Sequence, residues 1–211
     1  MPLYRKEPLE KYITDAASGN PTPGGGSVSA LVGALGTTMA EMSANFTMGR
    51  EKFKNVEPQV KQILEVCTKG REDLLVLMQK DTEAYEKVSN AYGMPKSTPE
   101  EKAARTQAIQ NALTHAMEIP LVTARCCLKM LEAIQELVNI ANPNLISDVG
   151  AAAIFAEAAL RGARLNVEAN LATLKDEALV SNIRKQITTA GEKAKTMLQE
   201  IMQTVFSTIN K

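Results

Sequence analysis

The stretch Glu57–Tyr92, EPQVKQILEVCTKGREDLLVLMQKDTEAYEKVSNAY, decides the class of fold. Its apolar residues Val60, Ile63, Cys67, Leu74, Met78, Tyr85, Val88 and Tyr92 stand three, four or seven apart. That spacing draws a single stripe along a helix of 3.6 residues per turn and none along a strand, so one long helix with this face buried is expected. Asp81 falls on the same stripe, three residues after Met78 and four before Tyr85. An ionised carboxylate on a buried face is costly unless it is paired. Two readings follow: a structural acid held by a salt bridge or hydrogen bonds, or an acid whose pKa burial has raised into the range useful for proton transfer.

Helical periodicity continues on both sides of this segment, and no stretch alternates apolar and polar residues between hairpin dipeptides. A first short helix is expected over Pro8 to Ala17, then a loop Asn20-Pro21-Thr22-Pro23-Gly24-Gly25-Gly26, and a second helix from Gly26 or Ser27 to about Met48. After the break Gly93-Met94-Pro95-Lys96, Thr98, Pro99 and Glu101 read as a capping box that opens a fourth helix. Pro120 should kink or split that helix into Pro99 to Glu118 and Pro120 to Ile140. The turn Ala141-Asn142-Pro143-Asn144 precedes a fifth helix from Ser147 or Asp148 to about Leu174. A sixth begins near Asp176 and should bury Leu198, Ile201, Met202 and Val205. The expectation is an all-α fold, a bundle of about six mostly long antiparallel helices, in one domain over residues 1–211.

Composition narrows the function classes. Lys plus Arg and Asp plus Glu are both 24, which leaves no basic excess for tracking nucleic acid. The cysteines Cys67, Cys126 and Cys127 are odd in number and form no CxxC pair, so neither a disulfide framework nor a zinc site is suggested, and a cytoplasmic location is expected. No segment has the length and apolarity of a membrane span or a signal peptide. His115, the single histidine, has no His or Cys at ligand spacing, so no metal is expected. No P-loop and no Ser-His-Asp set is present.

Three further features stand out. On the fifth helix Asp148, Ala152, Ala156, Ala159, Ala163, Asn166 and Asn170 share a face of small residues with polar ends. The two Asn amides suit either interhelical hydrogen bonds or a heteroaromatic ligand. Pro23-Gly24-Gly25-Gly26-Ser27 opens the second helix and can either hinge the chain or present N–H groups to a ligand. Ser27, Thr38, Glu41 and Asn45 lie near one face of that helix and make its inner side polar.

Taken together, Pro21-Thr22-Pro23-Gly24-Gly25-Gly26-Ser27, Asp81-Thr82-Glu83-Ala84-Tyr85, Ser147-Asp148 and Asn166-Val167-Glu168-Ala169-Asn170-Leu171 resemble, in order and spacing, the cyclodeaminase part of the formiminotransferase-cyclodeaminase family. The resemblance covers nearly the whole chain. It implies an all-α homodimer acting on a tetrahydrofolate derivative, possible polyglutamylation of that substrate, and no further cofactor. The reaction implied is either cyclodeaminase, in which N10 attacks a formimino carbon on N5 and ammonia leaves, or methenyltetrahydrofolate cyclohydrolase, in which water adds to the methenyl carbon. Asp81 matches the family's acid, and Asp148 is a second catalytic candidate. Ser147, Asn142, Asn166 and Asn170 are implied around the pterin, Gly24, Gly25, Gly26 and Ser27 beneath it, and Arg50, Lys52 and Arg105 at the glutamate carboxylates. The alternative is a helical scaffold or folate-binding protein without turnover.

Overall fold

The computed structural model describes residues 2–211. Its helices are α1 Leu9–Ala16, α2 Gly25–Asn45, α3 Glu57–Tyr92, α4 Pro99–Leu137, α5 Ile146–Leu171 and α6 Glu177–Ile209, and no strand occurs among the described residues. The local signals act as expected. Thr98 Oγ1 accepts from the Glu101 N–H at 3.2 Å while the Glu101 carboxylate accepts from the Thr98 N–H, closing the capping box of α4. Asp176 Oδ1 accepts from the Leu179 N–H at 2.9 Å and caps α6.

α2 is the central helix, packed by α3, α4 and α5. Small residues make this possible. An added Cβ on Gly33 would press against Cys127 and Leu74, and one on Gly36 against Phe155 and the α5 backbone at Ala152. Its interior polar groups are Ser27, Ser29, Thr37 and Ser43 rather than Thr38 and Asn45, which face out. Apart from Ser27, the buried hydroxyls return to their own helix: Thr37 donates to the Gly33 carbonyl at 2.9 Å and Ser43 to that of Met39 at 3.0 Å. No buried hydrogen-bonding side-chain atom is left without a partner among the described residues.

Contacts between helices fix the register. α2 and α5 run antiparallel, with Gly25 against Asn166, Gly162 against Ser29 and Gly36 against Phe155. α2 and α3 are also antiparallel, with Gly26 beside Asp81, Gly33 beside Leu74 and Glu41 paired to Arg71 at 2.7 Å. Two packed pairs depart from the expected antiparallel arrangement: α2 and α4, each antiparallel to α3, run parallel to one another with Gly33 against Cys127, and so do α4 and α6. Arg125 meets Gln186, Glu132 meets Lys193 and Gln135 meets Glu200, so α4 and α6 run parallel, because α5 returns the chain between them.

Two expectations fail for physical reasons. α4 passes Pro120 as one continuous helix, so the expected split does not occur. A proline inside a helix costs about 3 kcal/mol, while burying Met117 or Leu121 beside it returns roughly 1.5–3 kcal/mol for each side chain. The stripe on α3 is likewise buried only as far as Met78: Tyr85 and Tyr92 are 44% and 47% exposed. α2 begins opposite Asp81, so the last three turns of α3 have no α2 to cover them. Together with the start of α4 they extend as a hairpin around a separate small core of Ala91, Ile109 and Leu113, joined by Val88 and Leu174.

Candidate functional site

Where α2 begins and the hairpin leaves the bundle, a cleft of about 300 Å³ opens. Gly24, Gly25 and Gly26 form its floor, Asp81, Ala84, Tyr85 and Val88 of α3 one wall, and Asn166 and Asn170 of α5 another, with Ala116 and the Pro21-Thr22 loop at the edges. Each glycine has a specific use. A Cβ on Gly26 would collide with the Asp81 carboxylate, and one on Gly25 would stand 3.2 Å from Asn166 Nδ2. The two glycines therefore bring the N-terminus of α2 directly against the acid and the amide.

Gly24, at the N-cap of α2, has no side chain to offer the free N–H groups of the first turn. Asp81 brings a carboxylate from α3 directly against this turn, beside Gly26, where the Ser27 N–H opposes the rise in its pKa. No cation pairs with Asp81 among the described residues. Burial pushes its pKa up to about 6, against the opposing pull of the Ser27 N–H. The acid is neither salt-bridged nor in bulk solvent. It can hold a proton in weakly acidic solution and release it near neutrality, which suits a proton-transfer group.

A buried relay supports it from behind. Ser27 Oγ donates to the Met78 carbonyl at 2.8 Å and lies 2.9 Å from the Tyr12 hydroxyl. Tyr12 packs edge-to-face on Tyr4, whose N–H donates to Gln79 Oε1 at 2.9 Å. The Ser27 side chain is thus engaged within the fold, and it is its N–H that reaches the cleft side. Asn166 and Asn170 donate through Nδ2 to the carbonyls one turn back, Gly162 at 3.0 Å and Asn166 at 2.8 Å, which leaves their Oδ1 atoms as acceptors.

Other candidate residues lie elsewhere. Arg50, Lys52 and Asn142 line a second cleft of about 380 Å³ at the far end of α2, about 30 Å away for a helix of this length. There Arg50 Nε donates to the Phe46 carbonyl at 2.8 Å, the Asn142 N–H donates to Thr47 Oγ1 at 2.9 Å, and Asn142 Oδ1 accepts from the Asn144 N–H at 3.2 Å. Ser147 is exposed and Asp148 half-buried in the first turn of α5. The α2–α5 register sets Asp148 level with Ser43, not with Asp81. Arg105 lies at the hairpin tip, donating from Nη2 to the Tyr92 carbonyl at 3.0 Å and stacked over the Tyr92 ring. Within one chain, therefore, Asp81, Gly24, Gly25, Gly26, Asn166 and Asn170 converge, whereas Asp148, Ser147, Asn142, Arg50, Lys52 and Arg105 do not join them.

No three His, Cys, Asp or Glu side chains converge among the described residues. Burial pushes the thiol of Cys126 up to about 11 and that of Cys67 up to about 12, which removes them as nucleophiles near neutrality. No helix among the described residues is long and apolar enough to cross a membrane.

A profile of the formiminotransferase-cyclodeaminase family matches residues 8–189. The chain belongs to that family. It is 38% identical over 204 residues to a methenyltetrahydrofolate cyclohydrolase of Methylorubrum extorquens, covering 97% of this chain and 98% of the relative. It is also 32% identical over 188 residues to a formimidoyltransferase-cyclodeaminase of Rattus norvegicus, 89% of this chain but only 35% of that longer protein. Among solved structures, a formiminotetrahydrofolate cyclodeaminase of Thermotoga maritima superimposes with a TM-score of 0.88 at 30% identity, covering 98% of this chain and 99% of the other.

Sequence reasoning placed Tyr85 in the core and gave Tyr12 no role. The first would have needed the register of α2 on α3 to show that the stripe outruns its cover. For Tyr12 the sequence offers no signal, because its partner Ser27 is met only through tertiary packing.

Proposed function

We propose that this member of the formiminotransferase-cyclodeaminase family is a tetrahydrofolate one-carbon enzyme whose proton-transfer group is Asp81, acting as a methenyltetrahydrofolate cyclohydrolase. The observation that carries this reading is the unpaired, desolvated Asp81 carboxylate held against the open N-terminus of α2 in a cleft. Its full-length match to a cyclohydrolase favours water as the attacking group. The ionised Asp81 accepts a proton as water adds to the methenyl carbon between N5 and N10, and its charge favours the cationic amidinium before attack. The proton then passes to N5 as the C–N5 bond breaks and the adduct's hydroxyl proton leaves to solvent, giving 10-formyltetrahydrofolate. Asn166 and Asn170 accept from the amide and amino edge of the pterin. Water supplies the oxygen, Asp81 moves the protons, and the step calls for no resident metal or cofactor. A cytoplasmic location accords with three unpaired thiols.

A second reading, cyclodeaminase, is favoured by the likeness to the Thermotoga maritima structure. The carbon attacked is the same. Decay of the methenyl absorption band, run beside ammonia release from 5-formiminotetrahydrofolate, separates the two. Band decay without ammonia is expected, with kcat/KM rising tenfold per pH unit to a plateau above about pH 6, where Asp81 ionises. No turnover of either compound overturns the proposal.

The enzyme works as a homodimer. Val28, Val32, Leu35, Met39, Met42 and Phe46 follow four-three spacing on the outer face of α2; Val28, Leu35 and Phe46 are exposed, Val32, Met39 and Met42 half-buried, and exposed Ile154, Phe155 and Leu165 of α5 continue that apolar surface. A twofold axis lying in this face at right angles to α2, near Leu35, exchanges the two ends of the α2–α5 pair. Leu35→Glu should yield a monomer by light scattering and lose turnover; an unchanged dimer sinks this assignment.

A further inference from the structure

We propose that Tyr85 is the platform on which the p-aminobenzoyl ring of the folate stacks, so that the substrate runs from the α2 N-terminus outward along the α3–α4 hairpin. This deepens the folate reading above and rests on it. The cleft is divided chemically. Glycine N–H groups, Asp81, Asn166 and Asn170 make one side polar, while Ala84, Tyr85, Val88 and Ala116 make the other apolar. A folate is divided in the same way: its pterin is rimmed with donors and acceptors, whereas its benzoyl ring has only an apolar face to offer.

Spacing fits this orientation. Tyr85 stands one turn beyond Asp81, a rise of about 6 Å. In a folate the ring hangs from N10, and its centre lies two bonds and one ring radius from the reacting carbon, about 4 Å. With the reacting carbon at Asp81, the ring spans the turn between Asp81 and Tyr85, its far edge one radius further out at about 5 Å, close to the level of Tyr85. The Tyr85 side chain is partly exposed at a stripe position whose equivalents earlier on α3, Leu74 and Met78, are buried. Its hydroxyl makes no hydrogen bond to another described residue. Among the described residues, no aromatic ring or cation stacks on Tyr85.

The test compares two ligands by calorimetry: 5-formyltetrahydrofolate, which carries the benzoyl ring, and 6-methyltetrahydropterin, which lacks it. Tyr85→Ala should weaken the folate about tenfold, in keeping with loss of an aromatic pair and its buried area, and leave the pterin fragment unchanged. Tyr85→Phe should bind both like the wild type, which keeps the test valid if the alanine variant folds poorly. In turnover, Tyr85→Ala should raise KM far more than it lowers kcat. Unchanged folate affinity overturns the proposal, and equal weakening of both ligands does so too, by assigning Tyr85 to the pterin. If the wild type binds neither ligand, it is the folate reading itself that fails, a result distinct from the other two.

Discussion

The two ends of α2 both gather polar residues, yet they spend them differently. At the far end Arg50, Asn142 and Thr47 satisfy carbonyls and N–H groups that the helix and the following turn would otherwise leave open. At the near end the helix has no cap of its own, and the acid that replaces it is desolvated, without a cation, and open to a cleft. Polar side chains at helix ends are ordinarily consumed by the helix. A site shows itself where the cap is borrowed from another element and the borrowing is costly.

The sharpest way to break this contrast is Asp81→Asn. Asparagine keeps an oxygen for the Ser27 N–H but cannot take a proton, so turnover should fall by about 10² to 10⁴-fold. Stability should move the other way. The folded-state pKa of about 6 lies above the ordinary 3.8, so the wild type binds more protons folded than unfolded between those values and loses stability as pH rises through them. The sum is about 3 kcal/mol above pH 6. Urea unfolding should find Asp81→Asn level with the wild type near pH 4 and more stable above pH 6. A variant destabilised at every pH would make Asp81 a structural cap like those at the other end.

A smaller effect is expected at Gly26, where a Cβ must displace the Asp81 carboxylate. Gly26→Ala should cost about 1–3 kcal/mol, and most of that cost should vanish in an Asp81→Ala background, as a double-mutant cycle will read. Additive costs would separate the glycine from the acid. At the far end, Asn142→Ala should cost about 1–2 kcal/mol through its lost partners Asn144 and Phe46, shift the urea midpoint, and leave the pH profile of turnover where it was. A moved profile would draw that end into the chemistry.

Much of this was legible beforehand. The 3.6-residue period, the Thr98 capping box and a long helix over about Glu57 to Tyr92 follow from short-range rules. Asp81 was conspicuous because an acid on an apolar stripe violates the pattern around it. Pro120 misled, since its local cost is overridden by burial on both sides of it. Thr38 and Asn45 misled because a helix with small residues on several faces carries no contrast strong enough to fix its inner side. The candidate set mixed residues from both ends of the α2–α5 pair, because motif order along a chain does not report which end of an antiparallel pair a residue occupies.

The sequence by itself determined the helices, their stops and the identity of the exceptional acid, since these depend on neighbours within a few residues. Only the tertiary structure decided that Gly26 abuts Asp81, that α3 outruns its cover at Tyr85, and that Arg50 stands a helix length from the cleft. Those facts depend on the register of one helix against another. Register is set by the summed fit of many small side chains along α2, a quantity that no single residue records.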